Sequence, residues 1–378
     1  LADWPGLALA INTLKQKIAA GRRLRFFCSR RRNPATLINM IIVLKPGISK
    51  ADERAVLSEI RKLGYTPHVM RGVARIVIGA IGDELTHANL ETLTTQFPGA
   101  VESVMPIQKR YKLVSREAHV ANSTIRVREH TVGGRTFHVM AGPCSVESEK
   151  QLMAVALAVK EAGATILRGG AFKPRTSPYE FQGLGEKGLK LLAKARKETG
   201  LAVITELLSE NHAELVAEYT DVIQIGARNA QNFQLLIAAA RTGKPILLKR
   251  GLSMRIEEWL LAGEYVLANE NPDLMFCERG IRTFETYTRN TLDLSAIPII
   301  KRESHCPIVI DPSQGAGRAD LVAALCKGAV AMGADALLIE VHPNPAEAWS
   351  DGAQQLSLEM FADLMNELKP LIAAVGRE

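Results

Sequence analysis

From Met40 onward the chain alternates short apolar runs with stretches in which apolar residues return every three or four positions. The first part predicts strands at 41–44, 66–70, 74–81 and 101–107, and helices at 50–63 and 85–96. In the first helix Val56, Leu57, Ile60 and Leu63 share one face, the spacing of a helix with one buried side. Gly64 follows, as a C-cap should. After a polar stretch at 107–137, read as a linker, one pattern recurs eight times: "HVMAGPCS", "TILRGG", "AVITELL", "VIQIGAR", "PILLKRG", "LMFCERG", "PIVIDPS" and "ALLIEVHP". Between most of these runs lies a stretch of helical periodicity, such as "QLMAVALAVKEAGA".

These orders define the fold class. The βαββαβ order of residues 40–106 is the ferredoxin-like split unit. It holds no cluster of Cys, His or acidic residues, which suits a packing or regulatory module. Eight strand–helix units over 138–378 predict a closed (β/α)8 barrel. Runs that are apolar throughout, rather than alternating, are what strands buried on both faces require.

Composition narrows the remaining choices. A chain of 378 residues, 47% hydrophobic, can bury a large core and suits one large domain with a smaller one. No apolar run is long enough to cross a bilayer. Cys28, Cys144, Cys277, Cys306 and Cys326 are odd in number, scattered and without a CxxC pair, so no disulfide framework is expected and a reducing, cytoplasmic setting follows. The net charge of +7 comes entirely from residues 1–39, which carry eight Lys or Arg and one acid. The rest of the chain is neutral, and no nucleic-acid footprint is expected. This basic extension could be a transit peptide, an interaction arm or upstream sequence translated in error. Its shortage of serine weighs against the first, and it is expected to be disordered or non-native.

In a (β/α)8 barrel the C-terminal strand ends meet at one face. Here those ends present Cys144, Arg168, Glu206, Arg228, Lys249, Arg279, Asp311 and Glu340 with His342, and the loop "AFKPRTSPYEFQG" adds Lys173 and Arg175. So many cations converging on one cavity are unfavourable unless an anion neutralises them, which points to phosphate or carboxylate ligands. Two clusters suggest two anionic substrates. Cys144, Glu340 and Asp351, with Gln314 nearby in the loop after the seventh strand, combine a soft donor with hard oxygens and fit a divalent metal.

The motifs "AGPCSVES", "LRGGAFKPRTSPYEFQGLGEKGL", "QIGARNAQNF", "LLKRG", "CERGIRTFETYTRNTLD", "IDPSQGAGR", "IEVHP" and "SDGAQQL" resemble those of the 3-deoxy-D-arabino-heptulosonate 7-phosphate (DAHP) synthases, in the type I-beta form with an N-terminal ferredoxin-like domain. The resemblance runs from Met40 to about Val375. It implies condensation of phosphoenolpyruvate with erythrose 4-phosphate, the first step of the shikimate route to aromatic amino acids. It also implies that Arg168, Arg228, Lys249 and Arg279, with the backbone N–H near Ala227, hold phosphoenolpyruvate, and that Lys173, Arg175 and Thr176 take the sugar phosphate. Lys173 would protonate the developing alkoxide and Glu206 orient the attacking water. A divalent metal is implied on Cys144, Glu340, Asp351 and a histidine, but the histidine position reads Gln314. The expectation is a retained, weaker site with Gln314 as its neutral ligand, preferring manganese or magnesium. Arg318-Ala319 also departs from the two arginines frequent in relatives. The alternatives are a metal-compromised paralogue that binds phosphoenolpyruvate and the related octulosonate 8-phosphate synthase; "KPRTS" argues against the second. The resemblance further implies feedback by an aromatic amino acid through residues 40–106, and a homo-tetramer.

Overall fold

The computed structural model describes residues 40–378 apart from 72–75, 82–89 and 107–109. The basic extension lies outside the described residues. The chain divides into two compact units that part between Lys109 and Arg110.

The smaller unit is a four-stranded antiparallel sheet. Its strands are β1 (Met40–Leu44), β2 (Thr66–Arg71), β3 (Ile76–Ile81) and β4 (Val101–Pro106), in spatial order β2-β3-β1-β4. That is the order a ferredoxin-like split unit produces. Helix α1 (Lys50–Lys62) starts at Ser49, whose hydroxyl accepts from the Asp52 N–H at 3.1 Å, and ends before Gly64, whose φ of +87° suits a residue without Cβ. Val56 and Ile60 are fully buried against Ile42, Leu44 and Ile78, while Leu57 and Leu63 pack at the edge of this core. Of the helix expected at 85–96, the described part ends in the short turn Leu93–Gln96.

The larger unit is the predicted barrel. Its strands are β7 (His138–Gly142), β8 (Ile166–Arg168), β9 (Ala202–Leu207), β10 (Val222–Ile225), β11 (Ile246–Lys249), β12 (Leu274–Glu278), β13 (Ile308–Ile310) and β14 (Ala336–Glu340), closed by parallel pairing of β14 with β7. Alternate residues divide between two cores. Met140, Ile166, Ile204, Leu247, Met275 and Val309 fill the interior. Val139, Leu167, Val203, Ile223, Phe276 and Ile308 face outward to the surrounding helices. Both faces are therefore dry, which is why the strands read as unbroken apolar runs.

The stretch expected as a linker is, from Arg110 on, part of the barrel unit. Tyr111, Val114 and Phe137 are buried in the outer core. A hairpin of β5 (Ile125–Val127) and β6 (His130–Val132) drives Ile125, Val127 and Val132 into the barrel interior. His138, which opens β7, hydrogen-bonds the Thr131 carbonyl at 3.0 Å, placing this plug at the N-terminal end, opposite the predicted site. With the sequences IRV and HTV these strands offer no apolar run and too little alternation to stand out from polar surroundings, so the sequence pattern misses them.

Because Ile125 is an integral part of the interior core, Ile125→Ala is expected to lower the stability of the barrel by about 2–5 kcal/mol in urea unfolding. A change within about 0.5 kcal/mol, typical of surface positions, would mean that the hairpin merely rests on the barrel.

Candidate active site

At the opposite end of the barrel the strand termini surround a cavity of about 210 Å³. Arg168 and Lys249 are the last residues of β8 and β11, and Arg279 follows β12 directly. Two close approaches bring the ends together. A Cβ on Gly142 would lie 2.1 Å from the Arg168 carbonyl oxygen, and one on Gly226 would lie 1.9 Å from Glu206 Oε1. Glycine at these places lets β7 meet β8 and leaves room for the Glu206 carboxylate.

Every residue expected to hold substrate lines this cavity. Arg168, Lys249, Arg279, Arg228 and Ala227 come from or directly after the strand ends, and Lys173, Arg175 and Thr176 from the loop after β8. Their charges are only partly matched. Lys249 Nζ lies 2.6 Å from Asp311 Oδ2, both buried. Arg175 Nε donates to Glu180 Oε2 at 3.0 Å. Arg168 donates through Nη1 to the Pro143 carbonyl at 2.6 Å and lies 3.1 Å from Glu340 Oε1. Its Nε is the only buried side-chain polar atom without a hydrogen bond among the described residues. An orphaned donor of this kind costs about 1–3 kcal/mol, more when charged.

Beside the cavity, one donor atom each from Cys144, Glu340 and Asp351 lies within 4.8 Å of the others. A thiol sulfur and two carboxylate oxygens at that spacing can enclose a divalent ion with bonds of about 2.0–2.3 Å, so the donor set fits a metal. Asp351 sits in the left-handed region at φ 49°, and Cys144 Sγ donates to its Oδ2 at 3.4 Å. Lys173 Nζ donates to the Cys144 carbonyl at 3.1 Å and to Sγ at 3.0 Å, joining this group to the cavity. Burial, then the Glu340 charge, pushes the Cys144 thiol up to about 11. Burial, the largest effect on Lys173, opposes its charge, but negative groups nearby, Glu340 among them, raise its pKa above the ordinary lysine value.

Gln314 reaches the group, but with the end opposite to the expected one. Its Nε2 donates to Glu340 Oε1 at 3.1 Å and Asp351 Oδ2 at 3.4 Å, while its Oε1 accepts from Arg279 Nη2 at 2.8 Å. The carboxylates call for a donor and the guanidinium for an acceptor, so the amide oxygen expected as a ligand points away.

Strand-end reasoning also missed several residues. Arg289, in the loop after β12, donates to Asp351 Oδ1 at 3.2 Å and to Gln354 Oε1 at 3.0 Å. Gln354 Nε2 in turn donates to Glu340 Oε2 at 2.7 Å. Glu180 and Gln224 line the cavity. Arg289 and Gln354 sit in "CERGIRTFETYTRNTLD" and "SDGAQQL", so the motifs held the signal, but the strand ends alone did not.

A barrel rim crowded with cations beside a thiol–dicarboxylate group that could hold a divalent ion suits an enzyme acting on small anionic substrates. Residues 118–374 match the DAHP synthetase I family, and residues 40–109 the DAHP synthase ferredoxin-like domain. The chain belongs to the DAHP synthetase I family. It is 50% identical over 339 residues to a phospho-2-dehydro-3-deoxyheptonate aldolase of Thermotoga maritima, covering 89% of this chain and 99% of the relative. A 2-dehydro-3-deoxyphosphooctonate aldolase of Syntrophotalea carbinolica is 32% identical over 67% of this chain and 97% of the relative. The crystal structure of the Thermotoga maritima DAHP synthase matches with a TM-score of 0.81 at 49% identity, covering 90% of this chain and 99% of that one. A truncated form of the Thermotoga maritima enzyme matches with a TM-score of 0.67 at 50% identity, over 71% of this chain and 98% of that one.

A thiol raised to about 11 is protonated throughout the neutral range, whereas a ligating sulfur is a thiolate. Binding of a divalent ion to the metal-free protein is therefore expected to release close to one proton at pH 7–8. Affinity should rise with pH by up to about tenfold per unit. Calorimetry in buffers of different ionisation enthalpy reads the proton count, and a count near zero would remove Cys144 from the ligand set.

Proposed function

We propose that the two sets of cations divide the two substrates between them. The reaction is that of the family: phosphoenolpyruvate, erythrose 4-phosphate and water give DAHP and inorganic phosphate, opening the shikimate pathway. In this reading Arg168, Arg228, Lys249 and Arg279, with the backbone near Ala227, hold phosphoenolpyruvate, and Lys173, Arg175 and Thr176 receive the sugar phosphate and its aldehyde end. The observation that carries it is an unsatisfied donor and, among the described residues, an unpaired cation at the cavity. Arg168 Nε is buried without a partner, and Arg228 lines the cavity in a 3-10 turn after β10. An anion bound there satisfies both.

The chemistry follows from position. C3 of phosphoenolpyruvate attacks the aldehyde carbon, and the carbonyl oxygen gathers negative charge. A divalent ion on Cys144, Glu340 and Asp351 would act as a Lewis acid towards that oxygen. The Lys173 ammonium, pinned on Cys144 at the edge of the cavity, delivers the proton that makes it a hydroxyl. Glu206, with space left by Gly226, orients water for addition at C2. Phosphate then leaves by C–O cleavage, with the cations stabilising charge throughout.

Manganese is the ion this reading favours for so oxygen-rich a set. We place the enzyme in the cytoplasm as a homo-tetramer; no helix among the described residues is long and apolar enough to cross a membrane. A sedimentation mass equal to one chain would remove the tetramer. We further propose that residues 40–106 take an aromatic amino acid as feedback effector. Deleting them should leave the turnover of the barrel within about threefold and abolish inhibition, whereas equal inhibition of the truncated protein would place the effector elsewhere.

Phosphate release should require both substrates, and arabinose 5-phosphate should not replace erythrose 4-phosphate. Arg175→Ala should raise KM for the sugar phosphate about 10- to 100-fold, as loss of a charge-assisted hydrogen bond does, and leave KM for phosphoenolpyruvate nearly unchanged. Equal effects on both would reject the division of substrates. Binding of phosphoenolpyruvate without any phosphate release, whatever divalent ion is added, would favour the metal-compromised paralogue.

A further inference from the structure

Gln314 is held between neighbours with opposite requirements. A guanidinium offers only donors, and ionised carboxylates offer only acceptors. The amide meets both in one orientation alone, with Oε1 on Arg279 Nη2 at 2.8 Å and Nε2 on Glu340 Oε1 at 3.1 Å and Asp351 Oδ2 at 3.4 Å. Turned over, its oxygen would oppose two carboxylates and its amino group the guanidinium. The backbone beneath it is fixed as well. The Gln314 N–H donates to Asp311 Oδ1 at 2.9 Å, and the Gln314 carbonyl accepts from Asn290 Nδ2 at 2.9 Å.

The oxygens that Nε2 occupies belong to the group that would receive a cation. Asp351 Oδ2 also accepts from the Cys144 thiol at 3.4 Å, so the amide nitrogen and the thiol converge on one carboxylate oxygen. An amide nitrogen has no lone pair free for a metal; its protons are donors.

We propose that Gln314 is a competitor of the divalent cation and not one of its ligands. Its amino group holds Glu340 and Asp351 in place in the metal-free protein, and an entering ion displaces it. The protein then supplies three ligands, Cys144, Glu340 and Asp351, and solvent or substrate oxygen supplies the others. This rests on the reading of those three residues as a cation site, and is independent of which substrates fill the cavity. It inverts the ordinary expectation for a residue at a ligand position. Removing its polar end should not weaken the site, because two hydrogen bonds that the ion must break are gone and the two carboxylates are left facing each other.

The test is the affinity of the full chain for Co²⁺ and Mn²⁺. Competition against a chromophoric chelator gives the affinities, and the thiolate-to-cobalt charge-transfer band reports sulfur ligation. Gln314→Leu loses both donors and acceptor; Gln314→Met, which keeps the length of the side chain and loses the donors but retains a weak thioether acceptor, is the second variant, and urea midpoints establish that each is folded. Both are expected to bind Co²⁺ and Mn²⁺ as tightly as the parent or up to about thirtyfold more tightly, the worth of two hydrogen bonds, with an unchanged cobalt spectrum. Binding weaker by about threefold or more in a folded variant would overturn the proposal, since loss of a ligand weakens a site. If the parent binds neither ion and shows no sulfur band, the cation site fails and the proposal with it. A substrate assay that still runs under those conditions would separate that failure from any failure of the substrate reading.

Discussion

Burial of every barrel strand on both faces is the constraint from which the site follows. A strand whose sides are all apolar can carry charge only at its ends, and parallel pairing puts all eight C-terminal ends on one rim. Arg168, Lys249 and Glu340 are each the last residue of their strands. The interior below is filled by Met140, Leu247 and Met275, and the far end is closed by Val127 and Val132 of the hairpin. Charged groups at the rim thus stand on a dry floor, where they act more strongly on one another than in water.

Such crowding persists only because positive and negative groups interleave. Glu340, 1% exposed, shows how. Its Oε1 lies 3.1 Å from Arg168 Nη1 and accepts from Gln314 Nε2 at 3.1 Å, and its Oε2 accepts from Gln354 at 2.7 Å. Removing one partner of a buried pair leaves a bare charge, and typically costs about 3–5 kcal/mol. Lys249 with Asp311 repeats the arrangement. What this matching leaves over is a donor: Arg168, although paired with Glu340, has no hydrogen-bond partner for Nε. The fold therefore balances most of the charge at the rim and leaves an unsatisfied donor on a residue that lines the cavity.

Gln314 shows how one side chain can serve two neighbours. It is neutral, yet presents a negative end to Arg279 and a positive end to Glu340 and Asp351. A neutral imidazole also offers a donor and an acceptor, but it loses the acceptor on protonation, whereas the amide does not titrate. The amide thereby joins a residue of the anion cavity to the carboxylates of the cation group with no net charge of its own.

Much of this was legible in the chain. Unbroken apolar runs marked all eight barrel strands because burial on both faces demands them, and the βαββαβ order defined the small unit. The list of strand-end residues from Cys144 to Glu340 named most of the rim, since topology alone sends those ends to one side. The hairpin at 125–132 was hidden: its strands, IRV and HTV, contain no apolar run, and their burial depends on the barrel end they fill. Arg289 and Gln354 were hidden among the strand ends because they act from loops. Residue type and position along the chain determined which groups could gather. Only the tertiary structure decided which end of Gln314 faces the carboxylates, because an amide carries a donor and an acceptor on one carbon and its neighbours in space, Arg279 against Glu340 and Asp351, make the choice.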